Sequence, residues 1–140
     1  MLETRYPAHL SLRLDWSEMD MFGHINNVSY FKYMQAGRVN YWELCGMASK
    51  LESEKLGPVL AESTCRFIEP LFYPGSIEVH TGLAAYKTSS FTLVHRIFNT
   101  EGMLCAEGRD VIVWYDFATN QKHALSEDDL AAMMALEQKA

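Results

Sequence analysis

The chain lacks most of what would tie it to a membrane, an oxidising compartment or a polyanion. Its three cysteines, Cys45, Cys65 and Cys105, are isolated, odd in number and without a CxxC spacing. That excludes a disulfide framework or a cysteine-built zinc site, and their apolar settings read as buried, inert thiols. No apolar run approaches the roughly 20 residues that a membrane span needs. The opening Met1-Leu2-Glu3-Thr4 has no secretory pattern. Basic residues are few and scattered: 12 Lys and Arg stand against 18 Asp and Glu, for a formal net charge of −6. Neither a nucleic-acid footprint nor a membrane-surface patch follows from that balance. HExxH, G-x-S-x-G and glycine-rich phosphate loops are all missing from the sequence, which argues against a zincin, a Ser-His-Asp hydrolase or a P-loop enzyme. His9, His80, His95 and His123 are too dispersed in sequence for a convincing metal set. The expectation is a soluble, cytoplasmic domain with no metal and no cofactor.

What is present is ordinary globular material, 140 residues with 49% hydrophobic and 21% charged side chains. That suits one domain, residues 1–140, with no linker or repeat. Leu10, Leu12 and Leu14 alternate with polar residues, which predicts a half-buried strand over Ala8 to Trp16. From Val28 to about Cys45 apolar residues occur almost all round a helical wheel, predicting a long buried helix that Gly46 stops. Gly37 in its middle costs about 1 kcal/mol relative to alanine, which predicts that another backbone passes close by. Ala48 to Leu56 reads as a short helix or loop ended by Gly57-Pro58. Four strands follow: Val59 to Leu71 with Pro70 near its end, one around Ile77 to Leu83, Phe91 to Phe98, and Met103 to Phe117. Ala118 to Lys122 then turns the chain out of the sheet, and Ser126 caps a terminal helix with acids in its first turn. Successive hairpins imply an antiparallel sheet. The predicted class is α+β: a curved five-stranded sheet wrapped around one long central helix, plus a C-terminal helix. Its aromatic helix and long last strand carry more apolar surface than one chain covers, so a homodimer is expected.

Between the first strand and the long helix lies a crowded polar loop, Asp15 to Tyr30. Backbone N–H groups stand unpaired at a helix mouth, and the dipole there favours negative charge. An acid aimed at that mouth can act on a carbonyl that the mouth polarises. Asp20 is the leading candidate, although on the residue alone an N-terminal cap or Asx turn explains it equally well. Asp15, on the outward phase of the strand, and Glu18, expected to point into solvent, rank below it. Gly23 supplies a backbone conformation or a close approach. His24 could hold a carbonyl, tune Asp20 or fill space. Asn26 and Asn27 are turn and cap residues first, with a side chain that could orient water or the loop. Tyr30 reads as core or pocket wall. Ser89-Ser90 is ordinarily turn chemistry.

The run Asp20-x-x-Gly23-His24-x-Asn26-Asn27-x-x-Tyr30, between a strand and a long aromatic helix, resembles the hotdog-fold acyl-CoA thioesterases, in particular the 4-hydroxybenzoyl-CoA thioesterase type. The resemblance extends through most of the chain, to the strand Val111–Phe117 and its turn. It implies Asp20 as general base or nucleophile, and the backbone N–H near Asn27 as donor to the thioester carbonyl. It also implies an active site at a dimer interface, with dimers pairing further into tetramers. The CoA phosphates would meet basic residues, for which Arg66, Lys87 and Arg96 are candidates, and the edge at Ser89 and Ser90 would lie near the substrate. Two rival functions share this frame: a hydratase or dehydratase on acyl thioesters with Asp20 and His24 as the acid–base pair, and a non-catalytic acyl-CoA-binding module.

Overall fold

The protein is described here by a computed structural model covering residues 2–139. Six strands, β1 (Ala8–Arg13), β2 (Leu56–Phe67), β3 (Ser76–Tyr86), β4 (Ser90–Phe98), β5 (Leu104–Asp116) and β6 (Gln121–Lys122), form one sheet. Among the described residues three α-helices accompany it: α1 (Asn27–Cys45), α2 (Lys50–Glu54) and α3 (Glu127–Glu137). The order is β1-β3-β4-β5-β2, antiparallel throughout, and curled as a half-barrel against α1. A strand that follows α1 in sequence thus closes the sheet at the far edge, and β2 pairs on one side with β5 alone. The α+β hotdog architecture expected from the sequence is the one observed.

The differences lie at the ends of elements. Gly57-Pro58 does not end α2 but opens β2, where Pro58 pairs opposite Trp114 on an edge strand that tolerates its missing N–H. Pro70 falls outside the strand. Gln121 and Lys122 do not leave the sheet; they return as β6 beside Tyr115 and Asp116, because Asn120 adopts a left-handed φ of 58° that tightens the turn. In β4, Phe91, Leu93, His95 and Ile97 all face the core, as their alternation predicts.

The helix is buried on one stripe rather than on most of its circumference. Tyr30, Tyr33, Met34, Gly37 and Tyr41 face the sheet, at the i, i+3, i+4 spacing of a single face. Val28 (71% exposed), Val39 (49%) and Leu44 (50%) face away. One sheet can cover one side of a helix, and the other side is left without cover in a single chain. Gly37 is the point of closest approach: a Cβ there would lie 2.7 Å from Thr81 Oγ1 and 2.9 Å from Val79 Cγ1. Side chains of β3, not a passing backbone, make the glycine necessary. The C-terminal half of the stripe is closed by α3, whose Met133 and Leu136 join Tyr41, Phe91 and Trp114 in one apolar cluster.

Beneath α1 runs a buried polar row. Asp110 on β5, fully buried, accepts hydrogen bonds from His95 Nε2 (2.6 Å), Ser63 Oγ (2.7 Å) and Arg38 Nη1 (3.0 Å). The Thr81 hydroxyl meets His95 Nδ1 at 2.8 Å. Burial alone would push the Asp110 carboxyl up, but the bonds from His95, Ser63 and Arg38 together outweigh it and hold the group below its ordinary value. A depressed carboxyl stabilises the fold above its unfolded pKa and loses that contribution as pH falls through its folded one. Denaturant midpoints should therefore be flat from neutral pH to about pH 5 and fall steeply below about pH 4. Asp110→Asn should cost about 3–5 kcal/mol at neutral pH and flatten the acid limb, both readable in urea titrations at pH 7 and pH 3.5.

Candidate active site

The loop from Asp15 to Asn26 is held by a carboxylate that the sequence reading placed in solvent. Glu18 is buried, 6% exposed. It accepts from the Tyr33 hydroxyl at 2.7 Å, Lys32 Nζ at 2.9 Å and the backbone N–H of Asp15 at 3.0 Å. Burial pushes the Glu18 carboxyl up, and those three donors together hold it below its ordinary value. Asp15 has a capping role, accepting from Ser17 N at the short 3-10 turn Trp16–Glu18. The reason is helical spacing: Lys32 and Tyr33 rise from the first turns of α1 beside the incoming loop and find their acceptor in Glu18. With Asp15 and Glu18 committed to structure, Asp20 stands apart.

Asp20 is exposed and opens a tight turn. Its Oδ1 accepts from Phe22 N (2.8 Å) and His24 N (3.2 Å), and its own N–H donates to His24 O at 2.7 Å. Oδ2 has no hydrogen-bond partner among the described residues. The turn closes through Gly23 at φ 78°. A Cβ at Gly23 would meet nothing within 4 Å, so this glycine serves conformation and not close approach. The Asx turn and the free oxygen coexist: one carboxylate oxygen orients the loop and the other is unspent.

Asn26 is the N-cap of α1, its Oδ1 accepting from Ser29 N and Ser29 Oγ, both at 2.9 Å. The backbone N–H groups of Asn27 and Val28 keep no acceptor among the described residues, as the first turn of a helix requires. Asp20, His24, Asn26, Asn27 and Tyr30 line one cavity of about 610 Å³ with Phe67 to Pro70, the segment that leaves β2. The His24 ring packs edge-on to Phe72, centroids 4.7 Å apart. Tyr30 packs against Phe67, and its hydroxyl accepts from Leu71 N at 3.2 Å. The wall from Phe67 to Pro70 was not singled out in the sequence; its signal is Phe67-Ile68, two apolar residues left exposed where the strand stops.

Other expected site residues lie elsewhere in this chain. Lys87, Ser89 and Ser90 form the β3–β4 hairpin, where Lys87 N donates to Ser90 O and Trp114 N to Ser89 O. That hairpin sits in the row of Val113 and Val59, the opposite end of β2 from Phe67. Arg66 and Arg96 flank Glu107 on the sheet face away from α1, and Arg96 lies 4.3 Å above the Tyr6 ring. On that outer face the β1–β3 register also sets His9 opposite His80, their rings stacked at 3.7 Å, with Glu78 Oε1 2.9 Å from His80 Nε2. The three offer ligand atoms within 4.8 Å of one another and could hold a metal ion. Their alternation, Glu78-x-His80, was the sequence signal; their meeting with His9 needed the register. Burial pushes the Cys45 thiol up to about 12 and the Cys65 thiol up to about 11, which leaves both poor nucleophiles.

A carboxylate oxygen without a partner and a helix first turn with unpaired N–H groups thus belong to residues that line one cavity. The family follows from sequence: a model of the thioesterase-like superfamily matches residues 14–133, and the chain belongs to that family. The YsmA protein of Bacillus subtilis is 33% identical over 111 residues, 79% of this chain and 74% of its own length. The solved structure of PA2801 from Pseudomonas aeruginosa, a proposed thioesterase, is 30% identical with a TM-score of 0.80, over 89% of this chain and 96% of that one. A Thermus thermophilus thioesterase solved with coenzyme A and zinc shares the fold at a TM-score of 0.83 and 22% identity, over 96% of each chain.

The loop's dependence on Glu18 is testable. Glu18→Ala leaves the Tyr33 hydroxyl and the Asp15 N–H without their acceptor, and for the buried Tyr33 hydroxyl that costs about 1–3 kcal/mol. Chemical denaturation should show a loss in that range or above it, and Glu18→Gln, which still accepts from both, should lose less.

Proposed function

We propose that the protein hydrolyses acyl-CoA thioesters to the free acid and CoA, with Asp20 as general base or nucleophile. The observation that carries this reading is the unspent Asp20 Oδ2 on the same cavity as the unpaired N–H of Asn27. A carbonyl oxygen received by the Asn27 N–H is polarised by the helix mouth, and a donor preorganised for the oxyanion is worth about 3–4 kcal/mol in other hydrolases. Through water, Asp20 takes a proton as the water oxygen bonds the carbonyl carbon; collapse breaks the C–S bond, and the proton passes to the CoA sulfur. By direct attack, Oδ2 forms an anhydride and releases the thiolate, and water then opens the anhydride. Gly23 keeps the loop in shape, His24 and Asn26 support it, and Tyr30 walls the acyl side.

The expected homodimer has a natural form in this reading. β2 is a 12-residue edge strand with exposed Val59, Leu60 and Phe67, and a long apolar edge invites pairing with another strand. Two copies joined antiparallel along β2 would set the Phe67 end of one, with its Asp20 cavity, beside the Val59 end of the other. Lys87, Ser89 and Ser90 of the second copy would then stand near the first copy's site, suited to CoA phosphates. Arg66 and Arg96, on the outer face, would serve only a CoA that wraps around the edge. Pairing of dimers into tetramers is a further step that the uncovered Val28, Val39 and Leu44 could support.

Two measurements test this. Asp20→Asn keeps an acceptor at Oδ1 for Phe22 and His24 but cannot take a proton; kcat should fall about 10²–10⁴-fold across an acyl-CoA panel with the melting temperature unchanged. Unchanged turnover in a folded Asp20→Asn protein rules Asp20 out. Loss of enoyl-CoA absorbance without hydrolysis points to a hydratase, and binding without turnover to a carrier module. Sedimentation equilibrium should give twice the 16.0 kDa chain mass or a multiple of it; a monomer at micromolar concentration contradicts the β2 pairing.

A further inference from the structure

A second cleft opens between α1 and the sheet at the Pro58 end of β2. It measures about 200 Å³ and is walled mainly by Val39, Trp42, Leu60 and Ile112, with Gln35 and Arg38 as its polar residues. That is below the roughly 300–1,000 Å³ of a complete small-molecule pocket, so it suits one end of a ligand rather than the whole.

Arg38 is the charged residue of that lining. Its side chain is 20% exposed and donates through Nη1 to Asp110 Oδ2 at 3.0 Å. No other hydrogen bond engages it among the described residues. A guanidinium carries five N–H donors, so most of the fork is unspent on a side chain that lines an apolar cleft. Asp110, gripped as well by His95 and Ser63, holds the Arg38 head in one position. A fixed, partly desolvated guanidinium with free donors matches a carboxylate, which it can take bidentately.

We propose that this cleft seats the distal end of the acyl group and that Arg38 selects acyl-CoA substrates whose acyl chain ends in a carboxylate. The proposal rests on the acyl-CoA hydrolase and β2-paired dimer read above. In one chain the cleft and the Asp20 cavity share no lining residue. Pro58 and Phe67 are nine steps apart on β2, about 30 Å at roughly 3.3 Å per residue, too far for a short acyl chain. Antiparallel pairing of two β2 edges removes that separation, since both cavities open on the α1 side of the sheet beside β2. The thioester would sit at the Asp20 cavity of one copy while the acyl tail entered the cleft of the other. Arg38 is a specificity residue in this arrangement and takes no part in the chemical step.

The experiment compares kcat/KM for matched pairs, glutaryl-CoA with pentanoyl-CoA and adipoyl-CoA with hexanoyl-CoA. The wild type should favour the carboxylated member by about 10–100-fold, the range of a hydrogen-bonded charge. Arg38→Gln should abolish that preference, mainly through the carboxylated substrate. Because Arg38→Gln leaves Asp110 short of a donor inside the fold, Arg38→Gln/Asp110→Asn is measured beside it, and Arg38→Lys should restore part of the preference. Wild-type preference for the methyl-ended members overturns the proposal and leaves the hydrolase intact. An equal loss on both members in a folded variant does the same. Hydrolysis of no acyl-CoA at all overturns the hydrolase reading and the proposal with it.

Discussion

The placement of α1 depends on one buried carboxylate. Asp110 on β5 gathers His95 from β4, Ser63 from β2 and Arg38 from the helix, and His95 passes the connection to Thr81 on β3. Four strands and the helix are tied at a depth where an unmatched charge would be costly. Gly37 sits directly above this row, so the helix can settle against Thr81 and Val79 without a Cβ in the way. Because α1 is one unbroken helix of 19 residues, fixing its middle also fixes where its N-terminus, and the N–H groups of its first turn, emerge.

Three of the carboxylates near α1 divide the work by how many donors each receives. Asp110 and Glu18 each take three, are buried, and are spent on holding the helix and its entry loop. Asp20 takes two backbone donors on one oxygen and leaves the other open on a cavity. A saturated carboxylate is an anchor; one with a free oxygen beside a helix mouth can accept a proton or attack a carbonyl. The same arithmetic distinguishes Arg38, whose fork is mostly unspent, from Lys32, whose ammonium is matched to Glu18 at the protein surface.

Much of the fold was legible because its signals are local. The alternation of Phe91, Leu93, His95 and Ile97 reads directly as a strand face, Gly46 at φ 75° ends α1 where a helix stop was expected, and Ser126 caps α3. Asp20, Gly23, His24, Asn26 and Asn27 were legible as a candidate site because they are close in sequence, where one turn runs into the cap of α1. Glu18 was misread because its partners, Lys32 and Tyr33, arrive from the helix 14 and 15 residues on. Arg38 gave no signal, since a lone arginine in an aromatic helix looks like its solvent face. The pairing of His9 with His80 needed the β1–β3 register, which no local pattern encodes.

The sequence by itself determined the elements, the antiparallel class, the candidate loop and the family, because hydrophobic period, turn chemistry and a contiguous motif act over a few residues. The tertiary structure decided which acids are anchors and which is free, and that α1 shows the sheet only one face. It also decided that the hairpin at Lys87 and the cleft at Arg38 lie at the far end of β2 from Asp20. Those outcomes turn on burial and on donors from distant strands, and a carboxylate's chemistry follows from which of its oxygens the fold has already used.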